Sequence, residues 1–143
     1  MLINVKSNNV LYAIIIKNSF KAEGIQFFTP NEYSQQLAYM RHPKGKEILP
    51  HIHNPVPREV LYTQETLFIK KGKLRVDFYD VDKVYFKSFV LQKGDVLFLI
   101  TGGHGFEVLE EVEMIEVKQG PYTGELDKSH LEGVAHEQVK VEK

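Results

Sequence analysis

The sequence predicts an all-β chain that folds as one antiparallel sandwich or barrel. Short runs rich in β-branched and aromatic residues alternate with turn signals along most of the chain. No apolar spacing supports a long helix. The length of 143 residues fits a single domain, which can bury roughly two thirds of its unfolded surface. Seven or more short strands with regular turns favour a sandwich or barrel over a βαβ fold.

The first part of the chain is predicted to form strands that precede the barrel. Residues 10–16 and 24–28 are two strand-like runs. Residues 29–32, Thr-Pro-Asn-Glu, have the form of a capping box with proline at the first helical position, which predicts a short helical turn. Residues 37–40 look extended again, and residues 43–46 mark a turn.

The barrel itself is predicted from short strands separated by turns rich in glycine, aspartate and lysine. We expect one domain over residues 1–143, with an N-terminal strand extension over 1–36, the barrel over 37–122 and a tail over 123–143. The polar tail from about Glu132 is expected to be exposed or frayed. The predicted turns are 71–73, 80–83, 92–95 and 101–103. The predicted strands are 51–53, 65–70, 74–79, 86–91, 96–100, 106–109 and 114–118.

Composition limits which partners the protein can bind and which residues can form a metal site. With 18 basic and 19 acidic residues, the net charge of -1 gives no electrostatic case for nucleic acid or an anionic membrane. The apolar run at 10–16 is too short to span a bilayer and lacks signal-peptide flanks. The absence of cysteine excludes disulfides and thiolate metal sites, so any metal must use nitrogen and oxygen ligands. We therefore expect a cytoplasmic protein with a small-molecule ligand.

Three histidines and a carboxylate form a candidate metal site. His51 and His53 alternate along a predicted strand, so both side chains would project from one face. His104 follows the apolar run 96–100, and Glu65 opens the segment between the histidines. Three neutral imidazoles and one carboxylate suit one divalent first-row ion, namely Mn, Fe, Ni or Zn.

The identity of the carboxylate ligand stays open between two residues. Glu65 is favoured because strand parity places it on the same face as Leu67 and Ile69, which are expected to point inward. Glu59 competes, since the proline-rich loop around it is hard to place. Gln64 has the opposite parity and should face away from the site.

Other residues near the candidate site have less specific signals. Phe106 and Val108 share the parity of His104 and are expected to form an apolar pocket wall, although plain core packing fits them equally well. Arg75, Lys118 and Tyr122 are candidates to bind an anionic or hydroxylated substrate, with solvent exposure the better expectation for each. The remaining histidines are expected to be structural or exposed: His42, His130 and His136.

The order of these motifs resembles the cupin superfamily. Five residues separate Gly45 from His51 and six separate Glu65 from Gly72, as in the first cupin motif. The second motif is matched by Gly94-Asp95, an apolar strand, Gly102 and His104. The resemblance covers roughly residues 45–118. It departs from the family in the longer gap between His53 and Glu65, in Ile100 at a position that is commonly proline, and in one residue missing before His104.

A narrower resemblance lies after the barrel. Residues 116–122, Glu-Val-Lys-Gln-Gly-Pro-Tyr, and Asp127-Lys128 resemble the ending of WbuC-type cupin metalloproteins, which occur among polysaccharide-synthesis proteins. Membership of the superfamily would imply a jelly-roll barrel, one metal ion held by His51, His53, Glu65 and His104, and a homodimer.

These observations lead to a metal-binding cupin as the expected function. The expected activity is that of a metal-dependent enzyme of isomerase or dioxygenase type, acting on a sugar or on a keto or hydroxy compound. No residue stands out as the general base. The alternative is a cupin that binds a sugar or small metabolite without catalysis, and a third reading gives the metal a purely structural role.

Overall fold

A computed structural model describes residues 1–143 and shows an all-β chain, with 46% of residues in strands and 5% in helical turns. The all-β prediction is confirmed. Two short 3₁₀ helices, Gly124–Asp127 and His136–Gln138, are the helical segments. The strands are β1 Leu2–Ser7, β2 Val10–Ile16, β3 Gly24–Phe27, β4 Ala38–Arg41, β5 Glu65–Tyr79, β6 Tyr85–Gln92, β7 Val96–Leu99, β8 Gly103–Lys118 and β9 Val141–Glu142.

The chain divides into two compact units. One consists of Met1–Phe20 together with Tyr62–Lys143, and the other is Lys21–Leu61. The larger unit holds a seven-stranded sheet in the order β1-β2-β7-β5-β6-β9, with β8 paired to β5. The smaller unit holds the antiparallel hairpin of β3 and β4. The prediction of one domain over residues 1–143 stays a prediction.

Strand β5 organises the larger sheet. Its first half pairs with β7 and its second half with β6, while β8 runs antiparallel along its whole length. All these pairings are antiparallel, and the short contact between β6 and β9 is parallel. The result is a mixed sheet that curls into a half-barrel. The core on its inner face includes Ala13, Leu67, Val76, Phe78 and Leu97.

A bulge at Gly72 bends the ribbon formed by β5 and β8. Leu67 and Ile69 face the core before the bulge, and Leu74 and Val76 face it afterwards, so the inward parity changes from odd to even. Gly72 has a φ of +80°, and a Cβ added there would lie 2.0 Å from the carbonyl oxygen of Glu111. Only glycine fits this position. The predicted turn at 71–73 is wrong, because these residues form a bulge inside one continuous strand.

A buried carboxylate ties the strand ends together. Asp95 is 1% exposed and accepts hydrogen bonds from the backbone N–H groups of Asn18, at 2.8 Å, and Gln92, at 2.9 Å. The ammonium group of Lys17 also binds the carboxylate of Asp95, so one of its partners is charged. Asp95 therefore joins the end of β2 to the turn between β6 and β7, and its charge is paired and hydrogen-bonded as burial requires.

The predicted strand at 51–53 is wrong. Residues 42–64 contain no strand, and four prolines fall within this segment: Pro43, Pro50, Pro55 and Pro57. Proline has no N–H to donate to a sheet and restricts the residue before it, which explains the irregular backbone. The predicted helical turn at 29–32 is not a helix. A single turn forms there instead, closed by a 3.2 Å hydrogen bond from Tyr33 N to Pro30 O.

The remaining strand predictions are largely confirmed, with corrections at β8 and at both ends of the chain. Residues 106–109 and 114–118 belong to one strand, β8, and β1 was not predicted. The tail from Glu132 is largely exposed, as expected, but its end is not frayed, because β9 pairs with β6 through Val141 opposite Ser88. None of the chain's helical segments has the length and apolar character needed to cross a membrane.

We expect Gly72→Ala to destabilise the larger unit by at least about 3 kcal/mol, because the new methyl group adds a backbone clash to the strain of a positive φ. Gly124→Ala is the matched control: its φ is +65° and no atom lies within 4 Å of an added Cβ. The control should lose only about 1 kcal/mol. Urea unfolding measures both, and equal losses would refute the proposed bend.

Asp95→Ala should cost about 3 kcal/mol or more of unfolding free energy, because it leaves Lys17 without its anion and two N–H groups without an acceptor. Asp82→Ala, at an exposed turn residue, should change stability by no more than about 0.5 kcal/mol. The same urea experiment compares the two, and a small loss for Asp95→Ala would contradict the structural role given to this carboxylate.

Candidate metal and ligand site

Glu65 and His104 meet although they pair with opposite ends of the β5–β8 ribbon. Glu65 lies opposite Lys118, whereas His104 lies opposite Phe78. A straight strand would cover ~43 Å between residues 65 and 78. The Oε2 atom of Glu65 nevertheless lies 3.4 Å from Nε2 of His104. The curl of the sheet is therefore what brings the two side chains together.

The pair is partly accessible to solvent and electrostatically tuned. The side chain of Glu65 is 15% exposed and that of His104 is 31% exposed. The hydrogen bond from His104 lowers the pKa of Glu65, with further lowering from the positive charges of His104 and Lys118. Burial and the negative charge of Asp127 oppose this, but the net direction is down. Glu65 is thus held in its charged form, which is the form that binds metals.

Glu65 and His104 line a cleft of about 660 Å³ in the larger unit. This volume is typical of a site for a small molecule. One wall is the end of β7, the turn that follows and the start of β8, residues 99–106, and the other includes residues 127–133. Thr63, Tyr79, Glu116 and Lys118 complete the lining.

Residues 127–134, here called the strap, are fastened at both ends. The hydroxyl of Thr63 donates a 2.6 Å hydrogen bond to Oδ1 of Asp127. At the other end, the backbone N–H of Val134 donates to the hydroxyl of Tyr79 at 2.8 Å. Between these points, Cδ1 of Leu131 lies 2.4 Å from the position that a Cβ on Gly103 would occupy. The absence of a side chain at Gly103 therefore lets the strap approach the strand beside His104.

His51 and His53 lie together in the smaller unit. Their ring centroids are 5.2 Å apart in an edge-to-face arrangement, and both residues are exposed. Nδ1 of His51 lies 3.1 Å from the carbonyl oxygen of Leu49. Glu59 is also exposed and belongs to the same unit. The structure contains no cluster of three or more metal-ligating side chains. The four-ligand set, and the choice of Glu65 over Glu59, stay predictions.

The spacing of Glu65 and His104 suits a shared cation. Two donor atoms that each lie ~2.1 Å from one ion are separated by roughly 3.0 to 3.4 Å in octahedral or tetrahedral geometry. The observed 3.4 Å between Oε2 and Nε2 falls within this range. A carboxylate and an imidazole are also the donor types that divalent first-row ions accept. This half of the predicted site therefore fits a metal without rearrangement of its backbone.

Of the residues predicted on less specific signals, some line the cleft and others lie elsewhere. Phe106 and Lys118 line the cleft, while Val108 is 58% exposed and does not. Arg75 instead binds Asp77, with contacts of 2.8 and 3.0 Å, and also pairs with Glu107. Tyr122 is exposed and lies outside the cleft lining.

Several cleft residues were missed from sequence. His130 is exposed, as expected, but it also lines the cleft, and the same lining includes Thr63, Tyr79 and Asp127. Asp127 was noted only as part of a family resemblance. These residues come together through the return of the C-terminal segment over the sheet, which leaves no local pattern in the sequence. The parity prediction for Leu67 and Ile69 is confirmed, since both are buried core residues.

Comparisons with protein-family models, curated proteins and solved structures found no match to this chain. The likeness to cupins therefore stays a prediction carried by the residue pattern alone.

Lowering the pH should remove the stabilisation that Glu65 provides. Because the folded-state pKa of Glu65 lies below its usual value of 4.5, its contribution is complete above that pH and is lost as the pH falls through the lowered folded value. Glu65→Gln should therefore be less stable than the wild type at pH 6, and the difference should shrink below pH 4.5.

Urea unfolding of the wild type and Glu65→Gln across this range measures the effect. Glu116→Gln is the control, since Glu116 lines the same cleft without an ion-pair partner. A stability difference between wild type and Glu65→Gln that stays constant with pH would contradict the assignment.

Proposed function

We propose that this chain is a cupin-type metalloprotein that binds one divalent first-row ion and acts on a small oxygenated substrate. The proposed ligands are His51, His53, Glu65 and His104, and the proposed fold of the larger unit is a jelly-roll barrel. The proposed substrate is a sugar or a keto or hydroxy compound, and the proposed chemistry is of isomerase or dioxygenase type.

The observation that carries this proposal is the contact between Glu65 and His104 inside a cleft. A carboxylate and an imidazole lie 3.4 Å apart, both partly accessible, at the edge of about 660 Å³ of space. The curled, largely antiparallel sheet supports the proposed barrel. Proposed ligands His51 and His53 occupy an irregular, exposed segment, which leaves their side chains available for binding.

The residues around the pair have identifiable roles in this proposal. Glu65 stays charged because of its lowered pKa, so it binds a cation without first losing a proton. Lys118, directly opposite Glu65 on β8, supplies a positive charge at the cleft for an oxygen-rich substrate. Thr63 fixes the orientation of Asp127, whose carboxylate lines the same space and can accept a proton. A bound ion would supply Lewis-acid polarisation of a substrate oxygen.

Homodimerisation is part of the same proposal, by resemblance to cupins. Strand β8 pairs only with β5, so its outer edge is free to meet another chain. Light scattering at working concentration tests this directly, and a monomer would contradict it.

Metal content is the primary test. Elemental analysis of protein purified without added metal should find Mn, Fe, Ni or Zn near one ion per chain. His104→Ala and Glu65→Gln should each weaken Mn²⁺ or Zn²⁺ binding by at least about tenfold in calorimetric titrations, because each removes a ligand. His42→Ala, at an exposed histidine outside the cleft, should bind as the wild type does.

Unchanged affinity in both ligand variants would exclude Glu65 and His104 as the site. Turnover separates catalysis from binding: a metal-loaded protein that is thermally stabilised by a sugar or keto acid, but converts none and consumes no oxygen, would be a binding module.

A further inference from the structure

The strap that walls the cleft continues into a strand held by a second set of contacts. After Val134 the chain passes through the 3₁₀ helix His136–Gln138 and ends in β9, which pairs with the edge of β6. The hydroxyl of Tyr85 accepts a hydrogen bond from Lys140 N at 2.7 Å, and Ser88 N donates to Lys140 O at 2.8 Å. This docking site for Lys140, formed by Tyr85 and Ser88, is called the catch below.

The catch is anchored on the buried Ser88, whereas the tail that it holds is short and mostly exposed, with one long ion pair of 3.8 Å from Glu142 to Lys87. Ser88 is fully buried, and its hydroxyl contacts both the hydroxyl of Tyr85, at 2.8 Å, and the carboxylate of Asp77. Asp77 is itself paired with Arg75. The tail contributes only backbone groups of Lys140 to the catch, and its last strand is two residues long with exposed side chains. A preformed site that holds a short strand by its backbone is suited to release and recapture.

The catch and the strap are connected through two tyrosines. The hydroxyl of Tyr79 holds the strap at Val134, and the hydroxyl of Tyr85 holds the tail at Lys140. The two rings pack edge to face, with centroids 5.8 Å apart. Tyr79 also lines the cleft that contains His104. Val134 and Lys140 are six positions apart in the sequence. Losing the hydrogen bond at one of them therefore lengthens the segment that only the other hydrogen bond restrains.

We propose that the strap is a removable wall of the ligand cleft and that docking of Lys140 in the catch controls whether the wall stays in place. Leu131 is the positioning residue of the wall, because it lies against Gly103 directly beside His104. Tyr85 and Ser88 act at a distance by holding the tail. The part of this inference that concerns the bound metal rests on the proposed function, whereas the coupling of the tail to the strap does not.

Amide hydrogen exchange on the full chain tests the coupling. Tyr85→Phe removes the hydroxyl that binds Lys140 but keeps the ring against Tyr79. The Lys140 amide should then exchange about 3- to 10-fold faster, as expected for loss of one hydrogen bond. The Val134 amide, whose own acceptor is untouched, should accelerate as well. Tyr62→Phe, at an exposed tyrosine, should change neither rate.

Acceleration at Lys140 with no change at Val134 would overturn the proposal, because the tail and the strap would then be independent. Ser88→Ala provides a second route to the same answer, since it removes the hydroxyl that contacts Tyr85 and leaves both tyrosine rings in place. The proposal requires the two amides to accelerate together in this variant too.

Access to the cleft is measured by the rate at which diethyl pyrocarbonate modifies His104. The rate should rise at least about threefold in Tyr85→Phe and in Leu131→Ala, while modification of His42 stays constant as an internal control. An unchanged rate at His104 in both variants would show that the strap does not cover the site.

Mn²⁺ release should also be faster in Tyr85→Phe. If Mn²⁺ fails to bind at all, the proposed function fails, but exchange and His104 modification still decide the role of the strap.

Discussion

The bend at Gly72 is the constraint on which the rest of the larger unit depends. A straight ribbon of β5 and β8 would place Glu65 and His104 ~43 Å apart, whereas the curled sheet, of which this bend is a part, brings them into contact. The same bulge switches the inward parity, so that Leu67 before it and Val76 after it both reach one core. A left-handed backbone that packs against Glu111 leaves no room for a side chain. Gly72 therefore lets both halves of β5 contribute to one core within the curled sheet that brings Glu65 and His104 together.

Solvent exposure separates the structural charge pairs from the candidate functional pair. Asp95 is 1% exposed, and it has two backbone N–H donors and a lysine around it, so its binding capacity is used up within the fold. Asp77 is likewise buried between Arg75 and Ser88. Glu65 is different, because its ion-pair partner is a histidine that is itself 31% exposed in a cleft. A group with unused binding capacity and access to solvent is the one able to take a ligand.

The sequence predicts the parts of the fold that follow from local alternation of apolar and polar residues. It does not predict the parts whose structure depends on contacts with distant segments of the chain. The inward placement of Leu67 and Ile69 follows from period-two alternation, and β1 could have been found in the same way from Ile3 and Val5. At Gly72, a glycine between lysines has the composition of a turn, and only the opposing strand determines that it forms a bulge. The tail is held mainly by backbone hydrogen bonds of Lys140 and by the pairing of β9 with β6, which no local side-chain pattern indicates. Near the candidate site, Glu65 lies beside His104, while the prolines around His51 broke the strand on which its predicted placement depended.

The contact between Glu65 and His104 is compatible with metal binding because it is weak. A partly exposed ion pair of this kind contributes at most about 1 kcal/mol after solvent screening. A divalent ion on protein ligands contributes on the order of 10 kcal/mol. Replacing the direct contact with a shared cation therefore loses little free energy. The separation of 3.4 Å already fits both the direct contact and a shared ion. In the proposed metal site, the hydrogen bond would hold Glu65 and His104 in position and keep the carboxylate charged before an ion binds, which would reduce the ordering cost of metal binding.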